Sequence, residues 1–251
     1  MLQRVAMSGI NPRVLAEKTI SVFGVGGLGS IVAEMLVRVG VGKLILVDKD
    51  IVGPENFNRL GFDVEDIGKP KVEAIAKKLK KIGEIRGKDF PLEIETYYTN
   101  VIGWGELPNI VERSDLIFTC FDNPEARLEV NFWAVKKNKV LIDGGTSEDG
   151  LRGRIITVVP YKTPCLNCYF GEGTIMEVEE NIILITEACN ASLPTTMAIV
   201  ASLQVDQGLK YLLNKQIVPL IFVNLEEDPI IMVREDVKRR KNCEVCGVEE
   251  K

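Results

Sequence analysis

The chain has 251 residues, of which 46% are apolar and 27% charged, and its formal net charge is −5. This balance is typical of a globular protein, and the acidic excess argues against nucleic acid or an anionic membrane as a partner. No apolar run reaches the roughly 18 residues of a membrane-spanning helix, and no apolar leader opens the chain, so we expect a cytoplasmic protein. The sequence contains no histidine, which excludes histidine nucleophile pairs, general bases and metal ligands.

The first half of the chain alternates predicted strands and helices. A helical arm over residues 1–17, interrupted at Asn11-Pro12, precedes them. We predict strands over residues 19–23, 43–48, 92–97, 115–120 and 139–143, and helices over 30–39, 70–82 and 124–137. This order predicts parallel strands joined by helical crossovers, that is, a Rossmann-like α/β fold. The polar residues 49–68 are predicted to form a long loop, and loops of that length are usually functional.

The alternation stops after residue 150. An antiparallel strand over 154–159, a crossover loop over 171–189 and closing strands near 217–223 and 229–233 are predicted. Between them, residues 193–213 predict a long buried helix with Ser192 as its N-cap and Pro194 at its first position. No linker separates the two halves, so we predict one domain over residues 1–251, whose mostly parallel sheet continues into antiparallel strands.

A glycine-rich segment, Gly24-Val-Gly26-Gly27-Leu-Gly29, follows the first strand and opens a helix. Gly24 permits a tight turn, Gly26 lets a phosphate approach the backbone, and Gly29 lets helix and strand pack closely. Asp48 ends the next strand, where a carboxylate can accept ribose hydroxyls. This pattern predicts a bound nucleotide, and it fits ATP and NAD equally well.

Polar residues beyond Asp48 favour a polyphosphate. Asn56, Asn58, Arg59 and Lys71 supply amides and cations, which a triphosphate with about four negative charges needs and a dinucleotide does not. Asp122 follows the fourth strand at the carboxyl edge of the sheet and could hold Mg²⁺ beside the phosphates. Taken singly, these residues could equally be loop hydrogen-bonders and a solvated helix lysine.

Two C-x-x-C pairs indicate a metal site. Cys165, Cys168, Cys243 and Cys246 can supply four thiolates for tetrahedral Zn²⁺, and a closed site of this kind is structural. Redox pairs or free cysteines are the alternative. Cys120 lies in an apolar strand and is predicted to be a core residue.

Five motifs in order resemble the ThiF/MoeB/ubiquitin-activating adenylyltransferases, over nearly the whole chain. They are the glycine segment, Val47-Asp48-Lys-Asp50, Asn56-Phe-Asn58-Arg59, Gly68-Lys-Pro70-Lys71 and Cys120-Phe-Asp122-Asn123. Ala188-Cys189-Asn-Ala-Ser-Leu-Pro-Thr-Thr-Met197 looks most like the single-domain branch that activates the ubiquitin-fold modifier.

This resemblance implies a specific reaction and set of residues. A small β-grasp protein with a Gly-Gly end would be adenylated by ATP at its C-terminal carboxylate, residues 1–150 holding the nucleotide and 151–251 the substrate. It adds Asp50 to the nucleotide site and zinc at the cysteine pairs. It also implies a homodimer in which an N-terminal arginine, Arg4 or secondly Arg13, reaches the partner's ATP.

The role of Cys189 leaves alternatives open. A thiolate shortly before the N-terminus of a long helix would have a lowered pKa and could attack the acyl adenylate to form a thioester. Sulfur-carrier members, which serve molybdopterin, thiamine or tRNA thiolation, carry a cysteine here without an obligatory thioester. An NAD-dependent oxidoreductase and a non-catalytic nucleotide-binding scaffold are alternatives from other classes.

Overall fold

The computed structural model describes residues 1–170 and 192–247. The described residues form an eight-stranded sheet in the order β3-β2-β1-β4-β5-β6-β7-β8. The strands are β1 (Thr19–Phe23), β2 (Lys43–Asp48), β3 (Glu93–Tyr98), β4 (Leu116–Thr119), β5 (Leu141–Thr146), β6 (Arg152–Val158), β7 (Leu220–Asn224) and β8 (Ile231–Arg234).

Helices cover both faces of this sheet. They are α1 (Leu2–Met7), α2 (Pro12–Ala16), α3 (Gly27–Val39), α4 (Lys71–Glu84), α5 (Leu107–Glu112), α6 (Pro124–Lys136), α7 (Leu166–Phe170) and α8 (Pro194–Leu212). Two short 3₁₀ helices, Pro54–Asn58 and Val64–Asp66, lie between β2 and α4. Within the described chain, no helix is long and apolar enough to cross a membrane.

Strand directions confirm the predicted fold class. Strands β1 to β5 pair in parallel, whereas β6, β7 and β8 continue the sheet antiparallel. The chain reverses its direction of winding between β1 and β4, since β2 and β3 lie to one side of β1 and β4 and β5 to the other. Ligands of doubly wound folds bind at such a switch point.

The central strands are buried on both faces, and the side chains of alternate residues pack into two separate cores. On β1, Val22 packs into the core beneath α3, α4 and α8, and the next residue, Phe23, packs into the core beneath α5, α6 and α7. The second core also contains the four cysteines of the C-x-x-C pairs. The break predicted at Asn11-Pro12 is confirmed, because the Asn11 side chain caps α2 by accepting from the amide of Arg13 at 3.0 Å.

Several local predictions were wrong. Helix α3 begins at Gly27 rather than at residue 30, because glycines form its first turn. Ser192 is not the N-cap of α8: Leu193 is, and the described residues offer no side-chain cap there. The fifth strand continues through Gly144 to Thr146, since β6 pairs with it in antiparallel register. Strands β7 and β8 start later than predicted, and α5 and α7 were not predicted at all.

Candidate functional site

A cleft opens at the carboxyl edge of the parallel strands, at the switch point between β1 and β4. Its wall consists of the glycine turn after β1, residues 48–50 after β2, residues 99–101 after β3 and residues 120–127 after β4. Arg59, Lys71, Thr146 and Met197 complete the lining. The cleft is built from strand ends that the hydrogen-bonded sheet holds in place, so its position follows from the topology.

The glycine turn is required by close backbone contacts. Gly24 has φ +83°, and a Cβ there would lie 2.8 Å from the carbonyl oxygen of Cys120. A Cβ on Gly29 would lie 1.7 Å from the carbonyl oxygen of Gly24, so only glycine lets helix α3 approach the turn. Gly26, the N-cap of α3, is different: its Cβ would meet no atom of the described chain within 4 Å. The first-turn amides of α3 therefore border open space, which suits an anion.

Asp48 is buried and ties the second strand to the glycine turn. Its carboxylate accepts hydrogen bonds from the backbone amides of Val25 at 2.7 Å and Asp50 at 2.8 Å. Burial raises the pKa of this carboxyl above its ordinary value, while these amides and the Lys71 ammonium oppose the rise. The carboxylate thus faces the cleft in a fixed orientation, and its remaining lone pairs are free for the hydroxyls of a sugar.

The predicted cationic residues meet across the cleft. Lys71, at the start of α4 and largely buried, donates to the carboxylate of Asp50 at 2.9 Å. Arg59 lines the same space, and its Nε donates to Asn58 Oδ1 at 3.1 Å. Asp122 is exposed on the opposite wall, in the turn between β4 and α6. The cleft therefore combines the predicted cations Arg59 and Lys71 with several carboxylates near a helix N-terminus.

Three of the predicted nucleotide ligands do not line the cleft. Gly29 is covered by the backbone of Gly24. Asn56 is buried and accepts from the amide of Gly53 at 3.0 Å, so it holds the 3₁₀ turn together. Asn58 orients Arg59 and donates to the carbonyl oxygen of Ser192 at 3.1 Å, which joins the loop after β2 to the start of α8.

Two other predicted residues lie away from this space. Arg4 is exposed on α1, and it does not line the cleft of its own chain. Arg13, the second candidate, is exposed on α2. Cys189 lies outside the described residues, and so does the whole predicted crossover loop over 171–189.

Sequence reasoning missed Arg127, which lines the cleft from the second turn of α6. The N-cap of this helix could have indicated it. Asn123 caps α6 by accepting from the amide of Ala126 at 3.1 Å. Because helical side chains tilt towards the N-terminus, a residue four positions after the cap points back towards the strand end. Cys120 is buried as predicted, and burial raises the pKa of its thiol to about 12. It contacts Gln204 of α8 at 3.7 Å beneath the cleft.

The C-x-x-C pairs come together in the second core, on the face of the sheet that α5, α6 and α7 cover. The sulfurs of Cys165 and Cys243 lie 3.6 Å apart, those of Cys168 and Cys246 3.4 Å apart, and all four lie within 4.8 Å of one another. Four sulfurs about 2.3 Å from a tetrahedral Zn²⁺ would be about 3.8 Å apart, so the cluster fits that ion. Hydrogen bonding among these thiols lowers the pKa of Cys246 and raises the pKa of Cys165 and of Cys168.

The sheet order and its switch-point cleft define a doubly wound α/β protein. The sequence profile of the ThiF family matches residues 3–245. The chain therefore belongs to the ThiF family, which confirms the resemblance drawn from its motifs.

Curated relatives include ubiquitin-like modifier-activating enzymes. The ubiquitin-like modifier-activating enzyme 5 of Caenorhabditis elegans is 38% identical over 223 residues, which is 85% of this chain and 52% of the relative. That of Arabidopsis thaliana is 35% identical over 222 residues, 85% of this chain and 51% of the relative. The chain thus spans about half the length of the curated relatives it matches.

Solved structures show the same fold. Escherichia coli MccB matches with a TM-score of 0.74 and 24% identity, over 94% of this chain and 68% of MccB. A crystal structure of E. coli MccB with ATP matches with a TM-score of 0.73 and 23% identity, over the same shares of the two chains.

Proposed function

We propose that this protein uses ATP to adenylate the C-terminal carboxylate of a small ubiquitin-like protein with a β-grasp fold and a Gly-Gly end. The observation that carries the proposal is the composition of one cleft. A glycine turn and the buried carboxylate of Asp48 share it with Arg59, Lys71 and Asp122. Similarity to ubiquitin-like modifier-activating enzymes supports the substrate class.

The chemistry suits a chain without histidine. A C-terminal carboxylate has a pKa of about 3.5, so at neutral pH it is already an anion and needs no general base. One of its oxygens attacks the α-phosphorus of ATP, the bond to the β-phosphate oxygen breaks, and acyl adenylate and pyrophosphate result. Arg59 and Lys71 would bring the two anions together and stabilise the charge of the departing pyrophosphate.

Asp122 is the residue that would hold Mg²⁺ at this site. It is exposed at the wall of the cleft, and Mg²⁺ is usually bound by one or two carboxylates together with substrate phosphates. When bound, the ion would supply charge neutralisation for the phosphates. Changing Asp122→Ala should lower the turnover of ATP–pyrophosphate exchange by about 10²–10³-fold with ATP binding retained, by analogy with the loss of one electrostatic stabiliser. Loss of ATP binding together with exchange would instead make Asp122 a binding residue.

The decisive experiment is ATP–pyrophosphate exchange in the presence of candidate β-grasp proteins. We expect exchange to depend on a protein with a Gly-Gly end and to disappear when its last glycine is removed. If no such protein supports exchange while NAD binds and quenches the fluorescence of the chain, the site belongs to an oxidoreductase and the proposal fails. A chain that binds ATP tightly but never exchanges it would be a non-catalytic scaffold.

We further propose that Cys189 takes the acyl group from the adenylate as a thioester. The Cys189 sulfur would form a bond to the acyl carbon, and AMP would leave. With ATP and substrate, a covalent adduct that excess thiol cleaves by thioester exchange should appear, and Cys189→Ala should abolish it without abolishing exchange. An adduct that persists in Cys189→Ala would reject this assignment. Exchange without any adduct in the unmodified enzyme would favour the sulfur-carrier alternative.

The predicted homodimer completes the site in our proposal, with Arg4 acting on the ATP of the partner subunit. Mixing inactive Arg4→Ala and Asp122→Ala dimers should restore part of the activity, because one of the two hybrid sites would be intact. Failure to restore activity after proven exchange of subunits would mean that Arg4 acts within its own chain.

The four-cysteine cluster is proposed to bind a structural Zn²⁺. Four buried sulfurs at tetrahedral spacing support it, and thiols that a reducing cytoplasm keeps free would be available as ligands. Residues from Cys165 to Cys246 would thereby be fastened onto the second core.

A further inference from the structure

A buried group of charged side chains lies directly behind the wall of the cleft. Asp143 on β5 is fully buried, and it accepts hydrogen bonds from Arg127 of α6, from Arg154 of β6 at 2.5 Å and from Thr119 of β4 at 2.8 Å. Both guanidinium groups are almost completely buried. Three strands and one helix therefore share a single carboxylate.

Arg127 extends this group to the turn that carries Asp122. One of its terminal nitrogens donates to Asp143 and, at 2.9 Å, to the carbonyl oxygen of Gly144. The other donates to the carbonyl oxygen of Phe121. That carbonyl belongs to the planar peptide unit that also contains the nitrogen of Asp122, so Arg127 fixes the orientation of the peptide preceding Asp122. The fork of a guanidinium is suited to spanning two such acceptors, whereas an ammonium on a flexible stem is not.

The two arginines contact different parts of the molecule. Arg127 lines the cleft, but Arg154 does not: it stacks over the ring of Phe170 on α7, with its central carbon 4.4 Å from the ring centre. Burial lowers the pKa of Arg154 to about 10, so this guanidinium is charged at neutral pH. One carboxylate against two cations leaves the group with an excess positive charge next to the cleft.

From this geometry we infer that Arg127 is a positioning residue for the adenylation reaction: it fixes the Cys120–Asn123 turn so that Asp122 faces the nucleotide. Asp143 in turn holds Arg127, and Arg154 balances Asp143 from the far side. The inference rests on the proposed function, since it assigns Asp122 its task at the phosphates. It adds a residue that acts in this role through the backbone of the Asp122 turn.

The test compares Arg127→Lys and Arg127→Met with Arg154→Met as a matched control. Removing either arginine leaves Asp143 paired with the other, so the two methionine variants lose the same charge from the same carboxylate. We expect Arg127→Lys and Arg127→Met to lower the turnover of ATP–pyrophosphate exchange by 10- to 100-fold, the usual effect of removing an outer partner of a metal ligand. The free Mg²⁺ concentration for half-maximal exchange should rise at least threefold, while the KM for ATP changes less.

Arg154→Met should lose thermal stability to a similar degree but lose less turnover than Arg127→Met and shift the Mg²⁺ dependence less, because Arg154 reaches the Asp122 turn only indirectly, through Asp143 and Arg127. If both arginine sites lose exchange in proportion to stability, with unchanged Mg²⁺ dependence, Arg127 only supports the fold and the inference is overturned. Should Arg127→Met fail to fold, the charge-retaining Arg127→Lys carries the comparison. Unchanged Mg²⁺ dependence in that variant overturns the inference as well.

Failure of the proposed function would give a different result from failure of the inference about Arg127. In that case the unmodified protein would show no exchange with any Gly-Gly protein, whatever the variants do. Calorimetric titration with ATP in the presence and absence of Mg²⁺ would then decide on Arg127 alone: the positioning role requires that Arg127→Lys weaken binding of Mg²⁺-ATP at least threefold more than binding of ATP without the ion.

Discussion

The nucleotide cleft and the four-cysteine cluster are formed in different ways. The cleft lies at the ends of paired strands, where hydrogen bonds such as that from Val25 to Asp48 fix the backbone before any ligand arrives. The cluster joins α7 to residues 243–246, in a described stretch, 235–247, that contains neither helix nor strand. A site built from backbone can tolerate loss of its ligand, whereas one held by side chains alone depends on it.

The largest effect should follow from removing the metal proposed at the cluster. Cys243→Ser leaves three thiolates, and because a structural metal contributes its binding energy to folding, we expect stability to fall by about 5 kcal/mol or more. Zinc content, measured by mass spectrometry of the purified protein, should fall well below one ion per chain. Exhaustive chelation of the unmodified protein should lower the unfolding temperature in the same way.

Cys120→Ser is the control for that comparison. Cys120 is also buried but lines the cleft, outside the cluster, so its replacement should leave the zinc content unchanged and cost about 1–2 kcal/mol. If Cys243→Ser is no more destabilised than Cys120→Ser, residues 235–247 do not depend on a metal and the contrast between the two sites disappears.

The second-largest expected effect is a difference in unfolding free energy between variants of two glycines in the glycine-rich segment. Gly29→Ala would place a Cβ 1.7 Å from the carbonyl oxygen of Gly24, and we expect a loss of about 3 kcal/mol or more, since backbone on both sides cannot yield cheaply. Gly26→Ala meets no described atom within 4 Å and has φ −74°, so its unfolding free energy should stay within about 1 kcal/mol. Denaturant titration measures both.

The order of these two variants should be reversed when their affinities for ATP, rather than their unfolding free energies, are compared. The Cβ of Gly26→Ala occupies the open space at the N-terminus of α3, so affinity for ATP should fall about tenfold or more although the fold is intact. Unchanged ATP affinity in Gly26→Ala would place the phosphates elsewhere. Equal destabilisation of the two variants would show that Gly26 is required by the fold as well.

The smallest effect lies at the edge of the parallel strands, on β3. Hydrogen bonds from Arg113 lower the pKa of Glu95 from 4.5 to about 2. Because the folded pKa is the lower one, this group stabilises the protein fully above pH 4.5, and the contribution disappears as the pH falls towards 2. The site is partly exposed, so Glu95→Gln should cost less than about 1 kcal/mol at neutral pH, and the difference should vanish in acid.

A double-mutant cycle with Arg113→Met checks the cause. In that background Glu95→Gln should cost less than in the unmodified chain, since the strongest partner is already gone. A pH-dependent difference that survives unchanged without Arg113 would assign the low pKa to Lys43 instead.

Most of the parallel half of the fold could be predicted because most elements there are long enough to show their period. Strand β2 and helix α4 were predicted within a residue or two of their observed bounds, since buried runs and helical spacing are local signals. Helices α5 and α7 have six and five residues, which is too short for a period to appear. The end of β5 depends on β6 as a partner, which local pattern cannot supply.

The sequence predicted several residues that line the cleft, but it did not show which of the polar residues instead bond to the backbone of the loops. Asp48, Arg59, Lys71 and Asp122 do meet in one cleft, because strand ends of a parallel sheet share an edge. Asn56 and Asn58 instead bond to backbone groups within their own loop and at Ser192, and such contacts depend on tertiary packing. Arg127 was not predicted because it lies on α6 and its partner Asp143 lies on β5, and local sequence does not show that contact.

The cluster has one more consequence, which concerns the unfolded chain. Cys165 and Cys243 are 78 positions apart in the sequence, and a metal between them would close a ring of chain that contains α8 and β7. Closing a ring of that size by a cross-link removes conformational entropy worth about 4.5 kcal/mol from the unfolded ensemble. A bound ion would therefore act on the unfolded chain as much as on the folded one.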